Sequence, residues 1–262
     1  LQTAQQAVEE GIAYPILIGR RAVIERRLAS LGLSLRLDED CRVVDPQDNP
    51  DREAHYAAFY QRAKRRGFTP AEARVHIRGS ATGLAAVLLR TGEADAMISG
   101  TIGRYRSHLE QIELIVGRAR GVEHMVAMTA IVLPSGPVFI ADTDVQTDPD
   151  TDALVEITAL CADEVRRFGI EPKVALLSHS NFGSHQDPSA RKMHQALCRI
   201  QRAYPDLEVE GEMRADLALS ATMRQERFPD SQLEGRANLL IMPNQDAANI
   251  AFNLLKGMGD GT

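Results

Sequence analysis

Val174-Ala175-Leu176-Leu177-Ser178-His179-Ser180-Asn181-Phe182-Gly183-Ser184 decides how this chain is read. Four apolar residues make a short run suited to a buried strand, and the run empties into a loop of Ser, Asn and Gly. Asp187-Pro188-Ser189-Ala190-Arg191-Lys192 then opens a helix that the pattern carries to about Ala203, with proline where a first helical turn tolerates it. Strand, polar loop and helix in that order predict an α/β fold with a largely parallel sheet. In such sheets ligands bind beyond the carboxyl ends of the strands.

The same alternation extends in both directions. On the N-terminal side the spacing predicts helices over 2–11, 20–31 (Val23, Ile24 and Leu28 inward), 52–66 and 81–91, and strands over 14–19, 41–45 and 94–100. Thr69-Pro70-Ala71-Glu72 carries a capping box for one more helix. A hairpin is expected over 124–142, turning at Pro134-Ser135-Gly136. The Asp/Thr/Pro-rich stretch 143–149 then marks a domain seam, giving units of 1–142 and 143–262. Beyond it come a helix over 151–168, the opening strand and helix, a strand over 207–212, a helix around 216–224, a strand over 237–242 and a helix over 246–256. The glycine-rich tail 257–262 reads as flexible.

Composition narrows the function classes. Lys plus Arg is 30 against 36 Asp plus Glu, a net charge of −6, which argues against nucleic acid as a partner. The chain has no Trp, and aromatics make up 5%, so it lacks a base-stacking platform. No apolar run approaches the ~18 residues that span a bilayer. The three cysteines, Cys41, Cys161 and Cys198, are far apart and form no C-x-x-C pair; a reducing cytoplasm fits them. Cys161 and Cys198 fall on helix faces among apolar residues, where a buried inert thiol is the default.

Three segments could carry chemistry. In the 178–184 loop, backbone N–H groups and the following helix N-terminus favour an anion such as phosphate, and Lys192 could add a point charge. The alternative is a capped connection with solvated hydroxyls. The second segment, Ser99-Gly100-Thr101-Ile102-Gly103-Arg104-Tyr105-Arg106-Ser107-His108, also follows a predicted strand and offers two arginines suited to phosphate; surface arginines are the bland reading. Gly100 and Gly103 do not make a dinucleotide fingerprint. The third is Gly211-Glu212-Met213-Arg214-Ala215-Asp216, followed by Leu239-Leu240-Ile241-Met242-Pro243-Asn244-Gln245-Asp246; Asp216 and Asn244 sit at helix starts, as N-caps first. His179, His185 and His194 are close in sequence but lack an H-E-x-x-H pattern, so no metal is expected.

Taken together, Gly92-Glu93-Ala94-Asp95-Ala96, residues 168–178, Gly211-Glu212-Met213-Arg214-Ala215-Asp216 and Gly235-Arg236-Ala237-Asn238-Leu239-Leu240-Ile241 resemble the phosphotransacetylase family. The likeness runs the whole chain. Within the family the chain looks most like the branch fused behind NADP-dependent malic enzymes. Active transferases carry Ser-Thr-Lys-Gly-Ser in the loop, where this chain has Ser180-Asn181-Phe182-Gly183-Ser184, so Phe182 stands at the lysine position. In the loop matching 104–110, active members carry Thr-Arg, where this chain has Leu109-Glu110.

The resemblance implies two α/β domains with mostly parallel sheets around a cleft, like the isocitrate/isopropylmalate dehydrogenases, paired as homodimers or larger assemblies. It implies that a first strand precedes Leu1 and that the family's essential Ser, Arg and Asp follow Thr262. It further implies a regulatory domain that binds acetyl-CoA, with no catalytic residues of its own. NADP and a divalent metal would belong to the upstream catalytic domain. The acetyl-CoA ligands expected are Arg104, Tyr105, Arg106, Ser178, Ser180, Asn181, Phe182, Gly183, Ser184 and Lys192. An active phosphate acetyltransferase is the alternative.

Overall fold

The computed structural model describes residues 1–259, which divide into two compact units at Ala119/Arg120. In the first, helices α1 (Gln2–Glu9) and α2 (Arg21–Ser30) flank strand β1 (Ile16–Ile18), which pairs in parallel with β2 (Arg42–Val44). Helices α3 (Arg52–Ala63), α4 (Pro70–Gly79), α5 (Ala81–Thr91) and α6 (Tyr105–Ile115) follow. The capping box forms: the Thr69 hydroxyl accepts from the Glu72 N–H at 3.2 Å, and the Glu72 carboxylate accepts from the Thr69 N–H at 2.8 Å. Gly67 and Gly92 end their helices in the left-handed conformation, which glycine adopts without a Cβ clash. Phe59, Ile77, Leu84, Leu88 and Ile115 form the main core, and Ile24, Leu28, Leu35 and Cys41 form a smaller one.

Two expectations fail in this unit. Val23 is exposed rather than inward, because α2 covers its core with Ile24 and Leu28 alone. Residues 94–100 form no strand. A strand needs a ladder partner, and none of the described strands pairs with this run. Ile98 is consequently almost fully exposed, while Ala94 and Met97 lean on the helical core.

The second unit holds a five-stranded sheet in the order β3-β4-β7-β5-β6. Its strands are β3 (Met128–Leu133), β4 (Gly136–Ala141), β5 (Val174–Leu177), β6 (Val209–Met213) and β7 (Leu239–Ile241). β3 and β4 form the antiparallel hairpin, and all other pairings are parallel. β4 hydrogen-bonds to β7, from Phe139↔Leu239 to Ala141↔Ile241. The hairpin therefore belongs to the second unit, and the seam lies at 119/120 rather than at 143–149.

Side-chain alternation builds three layers. Phe139, Ala141, Val174, Leu176, Leu239 and Ile241 face helices α7 (Thr151–Arg167) and α8 (Pro188–Ala203). Val138, Ile140, Ala175, Leu177 and Leu240 face α9 (Ala215–Leu219), α10 (Ala221–Arg227) and α11 (Gln245–Met258). The helix expected around 216–224 is broken in two at Ser220, whose hydroxyl caps α10 by accepting from the Met223 N–H. Gly257 and Met258 continue α11 rather than loosening into a tail, and Asp260, Gly261 and Thr262 lie outside the described residues.

Candidate functional site

Strands β4, β7, β5 and β6 point their carboxyl ends toward one edge of the second unit's sheet. There α7, α8 and α11 begin, capped by Asp150, Asp187 and Asn244. Asn244 thus acts as expected. Asp216 does not, because Arg214 occupies the N-cap of α9 and Asp216 sits in its first turn. Asp142, buried at the end of β4, accepts from the N–H groups of Asp144, Val145 and Gln146 and folds that connection onto itself.

The 178–184 loop is organised from below by Glu212, a fully buried carboxylate on β6. Its Oε1 accepts from the Ser180 hydroxyl at 2.7 Å and the Gly183 N–H at 2.6 Å. Its Oε2 lies 3.0 Å from His194 Nδ1. The Glu212 carbonyl accepts from the Phe182 N–H. Ser180 Oγ accepts from the His185 N–H, and Ser184 Oγ accepts from the Asn181 N–H. Asn181 Oδ1 accepts from the Arg214 N–H. Phe182 adopts φ 49° and stacks obliquely on Phe228, with ring centroids 4.8 Å apart.

These bonds correct the expectation that the loop offers its donors to an anion. The Ser180 hydroxyl and the N–H groups of Asn181, Phe182, Gly183 and His185 already have protein acceptors. A buried carboxylate must be met this way, so the loop's polarity serves Glu212 first. Lys192 is not a free charge either. Its Nζ lies 2.6 Å from Asp148 Oδ1 and donates to the Pro243 carbonyl at 2.9 Å. Asp148 is 77% exposed, however, so a stronger anion can displace it. Arg214, 57% exposed and 3.5 Å from Asp216, is a further cation at this edge.

Arg104, Tyr105 and Arg106 lie in the first unit. The stretch 104–110 is not a loop: Arg104 is the N-cap of α6, and Tyr105 and Arg106 form its first turn. Arg106 pairs with Glu110 at 3.3 Å on an exposed face. On the same helix His108 Nε2 donates to the Ile102 carbonyl at 2.9 Å, and its Nδ1 accepts from the Thr82 hydroxyl at 2.7 Å. Gly103 adopts φ 110°, a conformation L side chains rarely take, and a Cβ there would also crowd the His108 ring at 2.8 Å from Nε2.

Sequence reasoning missed Glu212 as an organiser. The signal was there: glutamate in a strand whose every residue is buried must have built partners. Gly211 beside it lets β6 approach β5 closely, a Cβ there falling 2.7 Å from the Leu176 carbonyl oxygen. The histidines do not converge on a metal. His179 pairs with Asp187 at 2.9 Å and meets His185 edge-on. The Ala190 N–H, the His179 ring and the Ser189 N–H hold the Asp187 carboxyl below its ordinary range. Among the described residues no trio of His, Cys, Asp or Glu is grouped to hold a metal ion. Cys161 is buried, and burial pushes its thiol up to about 12. Cys198 is only half-buried, contrary to expectation.

Residues 1–262 match the phosphate acetyl/butaryl transferase family along their whole length. The chain belongs to that family. The NADP-dependent malic enzyme of Salmonella typhimurium is 47% identical over 98% of this chain and 34% of its own length. A phosphate acetyltransferase of Synechocystis is 29% identical over 98% of the chain and 36% of its own length. A solved phosphotransacetylase from Streptococcus pyogenes superposes with a TM-score of 0.87 at 25% identity, covering 99% of this chain and 78% of that one. The family and the α/β fold read from the motifs thus hold. The chain spans about a third of the malic enzyme it resembles.

Proposed function

We propose that this domain is a regulatory unit of a malic enzyme that binds acetyl-CoA and has lost phosphate acetyltransferase activity. One observation carries the reading: where active members hold a lysine, Phe182 packs on Phe228, and the loop around it is closed on Glu212. Phosphoryl and acyl transfer need donors aimed at developing negative charge; here those donors are spent within the protein. The higher identity to malic enzymes than to transferases supports the same conclusion.

Acetyl-CoA is a polyanion, so its phosphates need cations at the strand ends. Lys192, held by a displaceable Asp148, and Arg214 are the candidates at the strand ends of the second unit. On this reading NADP and the divalent metal serve the malic enzyme's catalytic domain, not this one. A cytoplasmic location suits this role; no helix among the described residues is long and apolar enough to cross a membrane.

Calorimetric titration with acetyl-CoA tests the binding half. Lys192→Ala should weaken it about tenfold, as losing a charge-assisted contact does. Asp148→Asn should tighten it up to about fivefold by freeing Lys192 from an exposed pair. No heat at millimolar acetyl-CoA overturns the proposal. Release of CoA from acetyl-CoA and phosphate tests the other half: turnover near 1 per second or faster, the ordinary enzyme range, contradicts the loss of activity. Malate oxidation by the full polypeptide, with and without acetyl-CoA, reads the regulation.

A further inference from the structure

We propose that Cys198 is a base-assisted thiol, activated by His194 and Glu212, that exchanges with small disulfides to form a mixed disulfide. The three groups stand in line. Cys198 and His194 are four residues apart on α8 and so share a face, with Sγ 3.8 Å from His194 Nε2. The other ring nitrogen, Nδ1, faces Glu212 Oε2 at 3.0 Å. A carboxylate only accepts, so Nδ1 carries the hydrogen and Nε2 presents its lone pair to the thiol. Glu212 is fully buried, and its remaining partners, Ser180 and Gly183, are neutral donors. It stabilises the imidazolium that forms when Nε2 takes the thiol proton, the arrangement that makes cysteine nucleophilic elsewhere.

Exposure separates this cysteine from the others. Cys41 and Cys161 are 0% and 2% exposed, whereas Cys198 is half-buried and His194 is half exposed. The reaction balances without an added oxidant. The Cys198 thiolate attacks one sulfur of a low-molecular-weight disulfide, a new S–S bond forms as the old one breaks, and the released thiolate takes the proton from His194 Nε2.

The test uses the intact chain in buffer near neutral pH, with 2,2′-dithiodipyridine as the disulfide and iodoacetamide as an independent electrophile. Peptide mapping assigns the modified residue. One thiol per chain should react fast and map to Cys198, and Cys198→Ser should abolish that phase. His194→Gln, at a half-exposed position where folding is expected to survive, should slow both reagents about tenfold by removing the base. Circular dichroism confirms the fold of each variant. The proposal is overturned if the fast phase maps to Cys41 or Cys161. It is equally overturned if His194→Gln leaves the rates unchanged, or if native Cys198 reacts no faster than in the urea-unfolded chain.

Discussion

Arg224 brings a guanidinium into the interior of the second unit, 2% exposed, on a seven-residue helix. It donates to the carbonyls of Leu217, at 2.8 Å, Leu233, at 2.8 Å, and Gly235. Burial pushes its pKa down, and the charges of Glu210 and Glu208 partly offset that. The planar fork ties two chain segments, α9 and the 231–236 connection, to α10. Arg224→Met removes three hydrogen bonds to backbone carbonyls, two of them buried, and should cost about 3 kcal/mol or more. Arg224→Lys, a point donor on a flexible stem, should recover only part of that. Urea unfolding midpoints at fixed slope measure both, and a midpoint unchanged in Arg224→Met would contradict this account. Sequence patterning could not single this residue out, since arginine is ordinarily exposed. Phe182 was legible as a replaced lysine, but its left-handed backbone and its stacking on Phe228 depend on a contact 46 positions away in the chain.

Elements were most legible where the sequence supplied its own punctuation. Thr69-Pro70-Ala71-Glu72 set the start of α4, and Asp187-Pro188 that of α8, because the cap chemistry is local. The run 94–100 was misread because strand formation is not local: alternation cannot say whether a ladder partner exists. The seam was misplaced for the same reason, the β4–β7 pairing being invisible in either segment. Packing within an element pair also sets a pH response. His76 on α4 stacks on Phe59 at 4.9 Å and meets Phe68 edge-on, and its Nε2 is buried without a hydrogen-bond partner. Burial pushes its imidazole pKa down, with a bond to Gln111 opposing. Below about pH 6.5, the unfolded value, the unfolded chain binds a proton that folded His76 refuses. Stability is therefore full above that pH and falls as pH drops toward the folded value. Between about pH 7.5 and 5.5 the wild type should lose more stability than His76→Phe in urea titrations, since the variant keeps the ring stack and lacks the titration. Equal losses would show that His76 does not couple folding to protons.

At the scale of the whole molecule, the remaining question is self-association, which the family resemblance implies and for which α7 and α11 are the helices to weigh. α7 is unsuited: Ala153, Leu154, Ile157, Cys161, Ala162 and Val165 are spent on the sheet's own core. α11 is different. Ala247, Ala248, Ala251, Phe252 and Leu255 face the interior, while Ile250, Leu254 and Met258 are 59%, 56% and 84% exposed. Their spacing of four places them in one stripe on the outer face, about 12 Å long at 1.5 Å per residue. Such a stripe is self-complementary: antiparallel pairing about a two-fold axis sets Ile250 against Met258 of a second copy and Leu254 against itself. Leu254→Asp places two carboxylates together on that axis and should convert the dimer to monomer at micromolar concentration. Phe168→Ser, just past the end of α7 and 61% exposed, should leave the dimer intact, because exposure of one ring makes no interface. Light scattering on the three proteins decides the matter. A monomeric wild type, or a dimer indifferent to Leu254→Asp, would remove α11 from the interface and leave its outer stripe without this role.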